Sequence, residues 1–172
     1  MLSPIAIASA ALVLATTAAA QCTPTFSEGV PYIVSSSQQT DVQWIGNNTE
    51  GSLGVDLSTT LPGTQWQLAT TDFGGYAFSF NTEFNFCLVA DGSAQKISAD
   101  ACFDETGSFT PEQDFTFACD SCSESGASNC RIVIKTIQQC AAGENVDEQV
   151  RIAGCGSMPM AEWNIVSPSN FV

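Results

Sequence analysis

Side chains alternate with a period of two through residues 75–102, and this pattern limits the fold more than any other feature of the sequence. Large apolar residues alternate with small ones up to residue 80, and the alternation resumes after the polar residues 81–83. Such alternation on both sides of a short polar turn predicts a β-hairpin with one buried face. A third short strand is expected around Ile97, ending at Cys102.

Fainter versions of this segment flank it, which predicts an internal repeat. Cys87 and Cys102 are 15 residues apart, and so are Cys140 and Cys155. Three aromatic residues recur at intervals of 49 and 48 residues, namely Trp66, Phe115 and Trp163. Three units of about 50 residues, each with about four short strands, fill the chain from residue 21 to 172. The sequence therefore predicts an all-β fold, a disulfide-bonded β-trefoil, with the three recurrent aromatics in its core.

The first twenty residues predict a secretory signal peptide. Residues 5–20 form an uncharged apolar run that ends in Ala18-x-Ala20, a small-residue cleavage pattern. Residues 21–172 are expected to form a single domain in an oxidising, extracellular compartment. All eight cysteines follow residue 20, so the secreted chain has the material for up to four disulfides.

Charge and composition exclude several classes of function. The chain has 4 Lys+Arg against 18 Asp+Glu, a net charge of −14, which would repel nucleic acids and anionic membranes. It contains no histidine, which removes the histidine-based mechanisms of most secreted hydrolases. We therefore expect a protein that is not an enzyme and that uses no cofactor and no metal. The scattered acidic residues are interpreted as solvated surface groups.

Short motifs spread over most of the chain resemble those of the ricin-type (ricin B-like) lectins, which are β-trefoils. The motifs are Trp66, residues 75–78, Cys87-Leu88, Ile97 with Cys102, and Gln113-Asp114-Phe115, which is similar to the family's Gln-x-Trp signature with Phe in place of Trp. The resemblance implies binding of cell-wall or cell-surface glycans in shallow pockets. The family's sugar-binding Asp, two positions after the first cysteine, is replaced by Val89 and Ala142.

Four residues are candidates for ligand binding on this basis. Gln113 and Asp114 belong to the signature, and Asp91 is the carboxylate nearest to the missing Asp. Trp44 lies outside the aromatic repeat and is the candidate for an exposed face that stacks on a sugar ring. Asn47-Asn48-Thr49 is a glycosylation acceptor, with Asn47 expected in a loop.

The repeat predicts the disulfides Cys87–Cys102 and Cys140–Cys155. The remaining cysteines must then pair among themselves, and three pairings are open for Cys22, Cys119, Cys122 and Cys130. The segment from Cys119 to Cys130 is rich in Ser, Gly and Asp and predicts a cross-linked exposed loop. This loop supports an alternative function, a protein-binding module such as a protease inhibitor or a secreted effector.

Overall fold

The computed structural model describes residues 21–49, 52–80 and 85–168, so the predicted signal peptide lies outside the described residues. The predicted all-β fold is confirmed: thirteen strands belong to one antiparallel sheet system, and a short 3-10 helix spans Pro111–Gln113. In chain order, the strands are β1 Pro31–Ser36, β2 Gln43–Thr49, β3 Ser52–Ser58, β4 Trp66–Thr70, β5 Tyr76–Ser79, β6 Phe86–Asp91, β7 Lys96–Ala101, β8 Phe115–Ala118, β9 Ser121–Ser123, β10 Gly126–Ile134, β11 Gln139–Ala142, β12 Arg151–Ala153 and β13 Trp163–Val166.

Six of these strands form a closed ring. Following the pairings leads from β1 to β4, β5, β8, β10, β13 and back to β1. Closure leaves no unpaired edge within the ring, which is how a small barrel avoids exposing backbone hydrogen-bonding groups.

Three hairpins accompany the ring: β2–β3, β6–β7 and β11–β12. They contact one another through the pairs Gly54–Ser98 and Lys96–Arg151 and the bridge Asp56–Gln149. A six-stranded ring accompanied by three mutually paired hairpins is a β-trefoil-like arrangement.

Aromatic side chains fill the core. Trp66, Phe115 and Trp163 are fully buried, which confirms the core role predicted for the recurrent aromatics. Phe78 of β5 packs edge-on against Phe115, with ring centroids 5.5 Å apart. Ala77, on the opposite face of β5, packs in a separate small cluster with the Cys87–Cys102 disulfide. β5 is therefore buried on both faces.

The predicted hairpin across residues 81–83 is only partly correct. Strands form on both sides, but the turn predicted at residues 81–83 lies outside the described residues. Across it, β5 and β6 share the single pair Ser79–Cys87, while β5 pairs mainly with β4 and β6 pairs along its whole length with β7. The alternation predicts strands correctly, but it carries no information about which strand each one pairs with.

Four disulfides cross-link the described chain. Cys87–Cys102 and Cys140–Cys155 are present, which confirms both predictions. The pairing that the sequence left open is Cys22–Cys122 with Cys119–Cys130. The prediction of a loop from Cys119 to Cys130 is wrong: β9 pairs with the start of β10, and we call residues 119–130 the stapled hairpin. Its second strand also belongs to the ring, because Gly126, Ala127 and Cys130 of β10 pair with β13.

Candidate functional site

The prediction that Trp44 presents an exposed face is wrong. Its side chain is fully buried, and its ring centroid lies 5.2 Å from that of Trp163 and 6.3 Å from that of Trp66. The apolar side chain turns inward because β2 alternates between core and solvent, and position 44 falls on the core side with Val42. Trp44 is therefore a core residue with no face available to a ligand.

Gln113 is also buried and uses its amide group inside the protein. Its Nε2 donates to the Ala101 carbonyl at 2.7 Å, and its Oε1 accepts from the Thr110 amide at 2.9 Å. The first bond fastens the short 3-10 helix to the end of β7, and the second caps the start of that helix. Gln113 thus has a structural role, which corrects its prediction as a ligand-binding residue.

Asp114 is a buried carboxylate held by neighbouring groups. Its Oδ1 accepts from the Thr71 hydroxyl at 2.5 Å, and its Oδ2 lies 3.5 Å from the Lys135 ammonium. Lys135 also donates to the Phe73 carbonyl. Gly75 packs against this carboxylate so closely that a Cβ atom would clash with it and with the Phe115 carbonyl. Asp114 therefore ties its own segment to the turn of residues 71–75 and to Lys135, and its carboxylate is almost inaccessible to a ligand.

Asp91 is the one predicted ligand-binding residue near the surface. It ends β6, where its Oδ1 accepts from the Ser93 hydroxyl at 2.6 Å and from the Ser93 and Ala94 amides. The hydroxyl bond above all, followed by the Ala94 amide, holds the pKa of the Asp91 carboxyl below its ordinary value.

The predicted site residues do not form one site. Asp91 pairs with Lys96 at one end of the β6–β7 hairpin, whereas Gln113 bonds to Ala101 at the other end, opposite Phe86. Five residues of strand separate these ends, about 17 Å at 3.3–3.4 Å per residue.

Asn47 does not lie in a loop. Its backbone belongs to β2 and pairs with Gly54 of β3, near the end of that hairpin, while its side chain lies outside what the structure describes. Glycosylation of Asn47 stays a prediction.

A pocket with aromatic walls, which the sequence did not predict, lies beside β4 and β5. Its volume is about 440 Å³, within the range of small-molecule sites. We call it the aromatic pocket, and its lining residues are Phe26, Glu28, Leu68, Ala69, Thr70, Tyr76, Phe103 and Phe109.

Two phenylalanines form an accessible wall of the aromatic pocket. Phe103 exposes 43% of its surface, and its ring centroid lies 4.8 Å from that of the half-buried Phe109. The loop between them is organised by Asp104, whose Oδ1 accepts from the Thr106 hydroxyl at 2.6 Å and from the Thr106 and Ser108 amides. The first of these bonds is the main reason that the pKa of Asp104 is lowered. These bonds order the turn that connects Phe103 to Phe109.

The segment that follows Cys22 supplies the floor and a carboxylate of the aromatic pocket. Phe26 is buried and packs edge-on against Tyr76, with centroids 5.2 Å apart. The Ser27 amide donates to the Tyr32 hydroxyl at 2.9 Å, and Gly29 takes a positive φ of 75° in the turn that follows. This arrangement leaves the exposed Glu28 at the pocket, together with the exposed Thr70. Hydrogen-bonding groups thus lie beside an accessible aromatic wall.

A second concavity lies between the stapled hairpin and the barrel wall. It has a volume of about 430 Å³ and is rich in hydroxyl groups. The polar residues that line it are Ser35, Ser121, Ser123, Ser125, Ser128 and Asn164. We call it the serine groove.

Neither a metal centre nor a membrane-spanning helix is found in residues 21–49, 52–80 and 85–168. No group of three or more His, Cys, Asp or Glu side chains there is arranged to hold a metal ion. The same residues contain no helix long and apolar enough to cross a membrane.

Comparison with known proteins shows the fold and nothing about the ligand. The chain is similar to a designed three-fold symmetric protein, ThreeFoil, with a TM-score of 0.54 and 14% sequence identity. The match covers 80% of this chain and 98% of the designed one. The fold is β-trefoil-like. No protein-family model and no curated protein matches the sequence.

Proposed function

We propose that this protein is a secreted, non-catalytic carbohydrate-binding protein and that the aromatic pocket is its binding site. The observation that carries the proposal is the exposed Phe103 ring beside Phe109, with Glu28 and Thr70 at the same pocket. Sugar rings present apolar C–H faces that stack on aromatic rings, and their hydroxyls need nearby donors and acceptors. An exposed aromatic wall flanked by a carboxylate and a hydroxyl matches both requirements.

The absence of catalysis is part of the same proposal. Glycoside hydrolysis ordinarily needs two carboxyl groups on opposite sides of the bond that is cut. Among the described residues, the lining of the aromatic pocket has one carboxylate, Glu28. The whole chain has no histidine to act as a base in its place.

Secretion and membership of the ricin-type lectins belong to the proposal as well. Four disulfides are compatible with an extracellular protein. The ring and its three hairpins support a full β-trefoil of three repeats of about 50 residues. In this proposal the trefoil binds cell-wall or cell-surface glycans away from Trp44, Gln113 and Asp114, which have become structural.

The test is a glycan array that includes plant and fungal wall polysaccharides, probed with the oxidised protein. The best ligand would then be titrated against Phe103→Ala, which removes the exposed wall and is expected to weaken binding about tenfold, from ~1.4 kcal/mol of lost stacking. The matched control is Phe73→Ala, because Phe73 is similarly exposed, at 41%, but does not line the aromatic pocket. Absence of binding to every glycan on the array, or equal losses of affinity in Phe103→Ala and Phe73→Ala, would refute the proposal.

A protein-binding function through the stapled hairpin is the second candidate. One disulfide closes the hairpin and the other ties it to Cys22, so it presents an ordered surface that loses little entropy on binding. Glu124 at its tip is exposed. Its ligand would be a protein that binds the uncut hairpin in the absence of sugar. Binding should disappear after proteolysis at Glu124, and survival of binding would exclude this candidate.

A further inference from the structure

The lining of the aromatic pocket is negatively charged. Glu28 is exposed and is the one charged side chain of that lining within the described residues. None of the four cationic residues of the chain lines the pocket, although the structure describes all four. Arg131 and Lys135 form ion pairs with other carboxylates. A ligand in the pocket therefore meets a negative charge that the lining does not balance.

Aromatic rings make up much of the remaining lining. Phe103 lies beside Phe109 with ring centroids 4.8 Å apart, and Phe26 packs edge-on against Tyr76 with centroids 5.2 Å apart. The face of an aromatic ring carries partial negative charge and attracts a cation that lies within about 6 Å of the ring centroid. The rings and the Glu28 carboxylate therefore favour the same kind of ligand, one that carries a positive charge.

The loop between Phe103 and Phe109 adds negative charge next to the pocket. Asp104 and Glu105 directly follow Phe103 in the chain, and both are exposed. The bond from the Thr106 hydroxyl, above the other bonds, lowers the pKa of Asp104, so its carboxylate stays ionised in mildly acidic solution. The net charge of −14 acts in the same direction over longer distances. These charges repel acidic sugars and attract cationic ligands to the pocket.

Hydrogen-bonding groups at the pocket indicate which class of cation it takes. A quaternary ammonium ion has no N–H group to donate, and it is typically bound in a cage of aromatic rings. Here Phe103 exposes 43% of its surface, so this wall is open to solvent. The Glu28 carboxylate accepts hydrogen bonds, and the exposed Thr70 hydroxyl can donate or accept one. An open wall with these groups suits a primary ammonium on a ring that also carries hydroxyls, which is the chemistry of an amino sugar.

We propose that the glycan bound at the aromatic pocket contains an amino sugar with a protonated amino group, such as glucosamine. The inference rests on the proposed glycan-binding function and names its ligand class. The ammonium group donates a charge-assisted hydrogen bond to the Glu28 carboxylate, while the C–H face of the sugar ring stacks on Phe103. Because this ion pair is exposed to solvent, the ammonium is expected to add about tenfold in affinity over a neutral sugar, from the carboxylate and the rings together.

The test compares three β-1,4-linked tetrasaccharides that differ only in the group on carbon 2 of each sugar. Cellotetraose carries a hydroxyl there, the N-acetylglucosamine tetramer a neutral amide and the glucosamine tetramer an ammonium. Two-dimensional amide NMR of the oxidised protein, in mildly acidic buffer of constant ionic strength, measures each affinity. The glucosamine tetramer is expected to bind about tenfold more tightly than the other two and to shift the amide signals of Glu28, Thr70 and Phe103. Equal or tighter binding of either neutral tetrasaccharide would overturn the inference.

Two variants that each replace one glutamate carboxylate by an amide show where the positive charge is recognised. Glu28→Gln is expected to weaken binding of the glucosamine tetramer about threefold, the effect of one exposed ion pair, and to leave the affinity for cellotetraose unchanged. Glu144→Gln is the matched control, because Glu144 is also exposed and does not line the pocket. Equal weakening in both variants would indicate a response to net charge alone and would contradict the inference.

Further measurements separate failure of this inference from failure of the proposed function. Phe103→Ala should weaken binding of all three tetrasaccharides, because stacking does not depend on the charge of the sugar. Neutral tetrasaccharides that bind as tightly as the charged one, and that lose affinity in Phe103→Ala, would remove the amino-sugar inference and leave glycan binding in place. Absence of binding of all three would remove the inference alone, because the glycan array decides the proposed function. Tighter binding of tetramethylammonium chloride than of the glucosamine tetramer would also overturn it, since the pocket would then bind a cation without a sugar.

Discussion

Removal of the Cys22–Cys122 disulfide should cost more stability than removal of either disulfide that joins residues 15 apart. It joins residues 100 apart, whereas Cys87–Cys102 and Cys140–Cys155 each join residues 15 apart. The perturbation is the double variant Cys22→Ala/Cys122→Ala. Both cysteines are half-buried, so their truncation leaves little cavity. The native contact survives, because Cys22 and Cys119 exchange two backbone hydrogen bonds of 2.8 and 2.9 Å.

The expected loss follows from the freedom that the unfolded chain regains. In the chain-entropy model, a crosslink across 100 residues stabilises by about 4.7 kcal/mol, and one across 15 residues by about 3 kcal/mol. The Cys87–Cys102 disulfide shortens the larger loop to roughly 85 residues, which lowers its value only to about 4.6 kcal/mol because the dependence is logarithmic. The free energy of unfolding of Cys22→Ala/Cys122→Ala should therefore fall by about 1.6 kcal/mol more than that of Cys140→Ala/Cys155→Ala. This difference counts chain entropy alone, and the cavity left at the buried Cys140 would add to the loss in the second variant.

The assay is equilibrium unfolding in guanidinium chloride, followed by tryptophan fluorescence. Trp44, Trp66 and Trp163 are all buried and report on the same core. The denaturant dependence should also steepen in the variant without Cys22–Cys122, since its unfolded chain exposes more surface. A loss no larger than that of Cys140→Ala/Cys155→Ala, with an unchanged slope, would refute the chain-entropy argument for this protein.

Three further predictions concern individual side chains. Trp44→Ala should cost about 3–5 kcal/mol of stability, measured by the same unfolding assay, because it empties the centre of the core; a cost below 1 kcal/mol would restore Trp44 as a surface residue. Gln113→Ala should cost about 1–3 kcal/mol of stability, because it leaves two backbone groups without their partner. The cost of Glu112→Ala, at the adjacent exposed residue, should be near zero, and similar costs for both variants would contradict the structural role of Gln113. The lowered pKa of Asp104 means that its charge stabilises the folded state above the ordinary value of 3.8, and that this contribution disappears as the pH falls through the still lower folded pKa. The melting temperature of Asp104→Asn should therefore be lower than that of the unmodified protein at pH 5, and the two melting temperatures should converge towards pH 2. A difference that does not change with pH would refute the stabilising role of the Asp104 charge.

Features of the fold that depend on residues close together in the chain could be predicted from the sequence. Period-two alternation identified strands, because successive side chains point to opposite faces whatever the partner strand is. The two 15-residue cysteine spacings identified Cys87–Cys102 and Cys140–Cys155, because each pair closes a single local hairpin. The pairing of Cys22 with Cys122 could not be found in this way, because it depends on where the start of the chain meets the stapled hairpin.

The sequence by itself thus determined an all-β, disulfide-bonded chain with Trp66, Phe115 and Trp163 in its core. Only the tertiary structure decided which polar and aromatic groups line a pocket. It buried Trp44 and Gln113, and it brought Glu28 to Phe103 and Lys96 to Arg151 across long stretches of sequence. The physical reason is that alternation reports which side of a strand a residue occupies, whereas a pocket depends on which distant strands and loops pack beside that side.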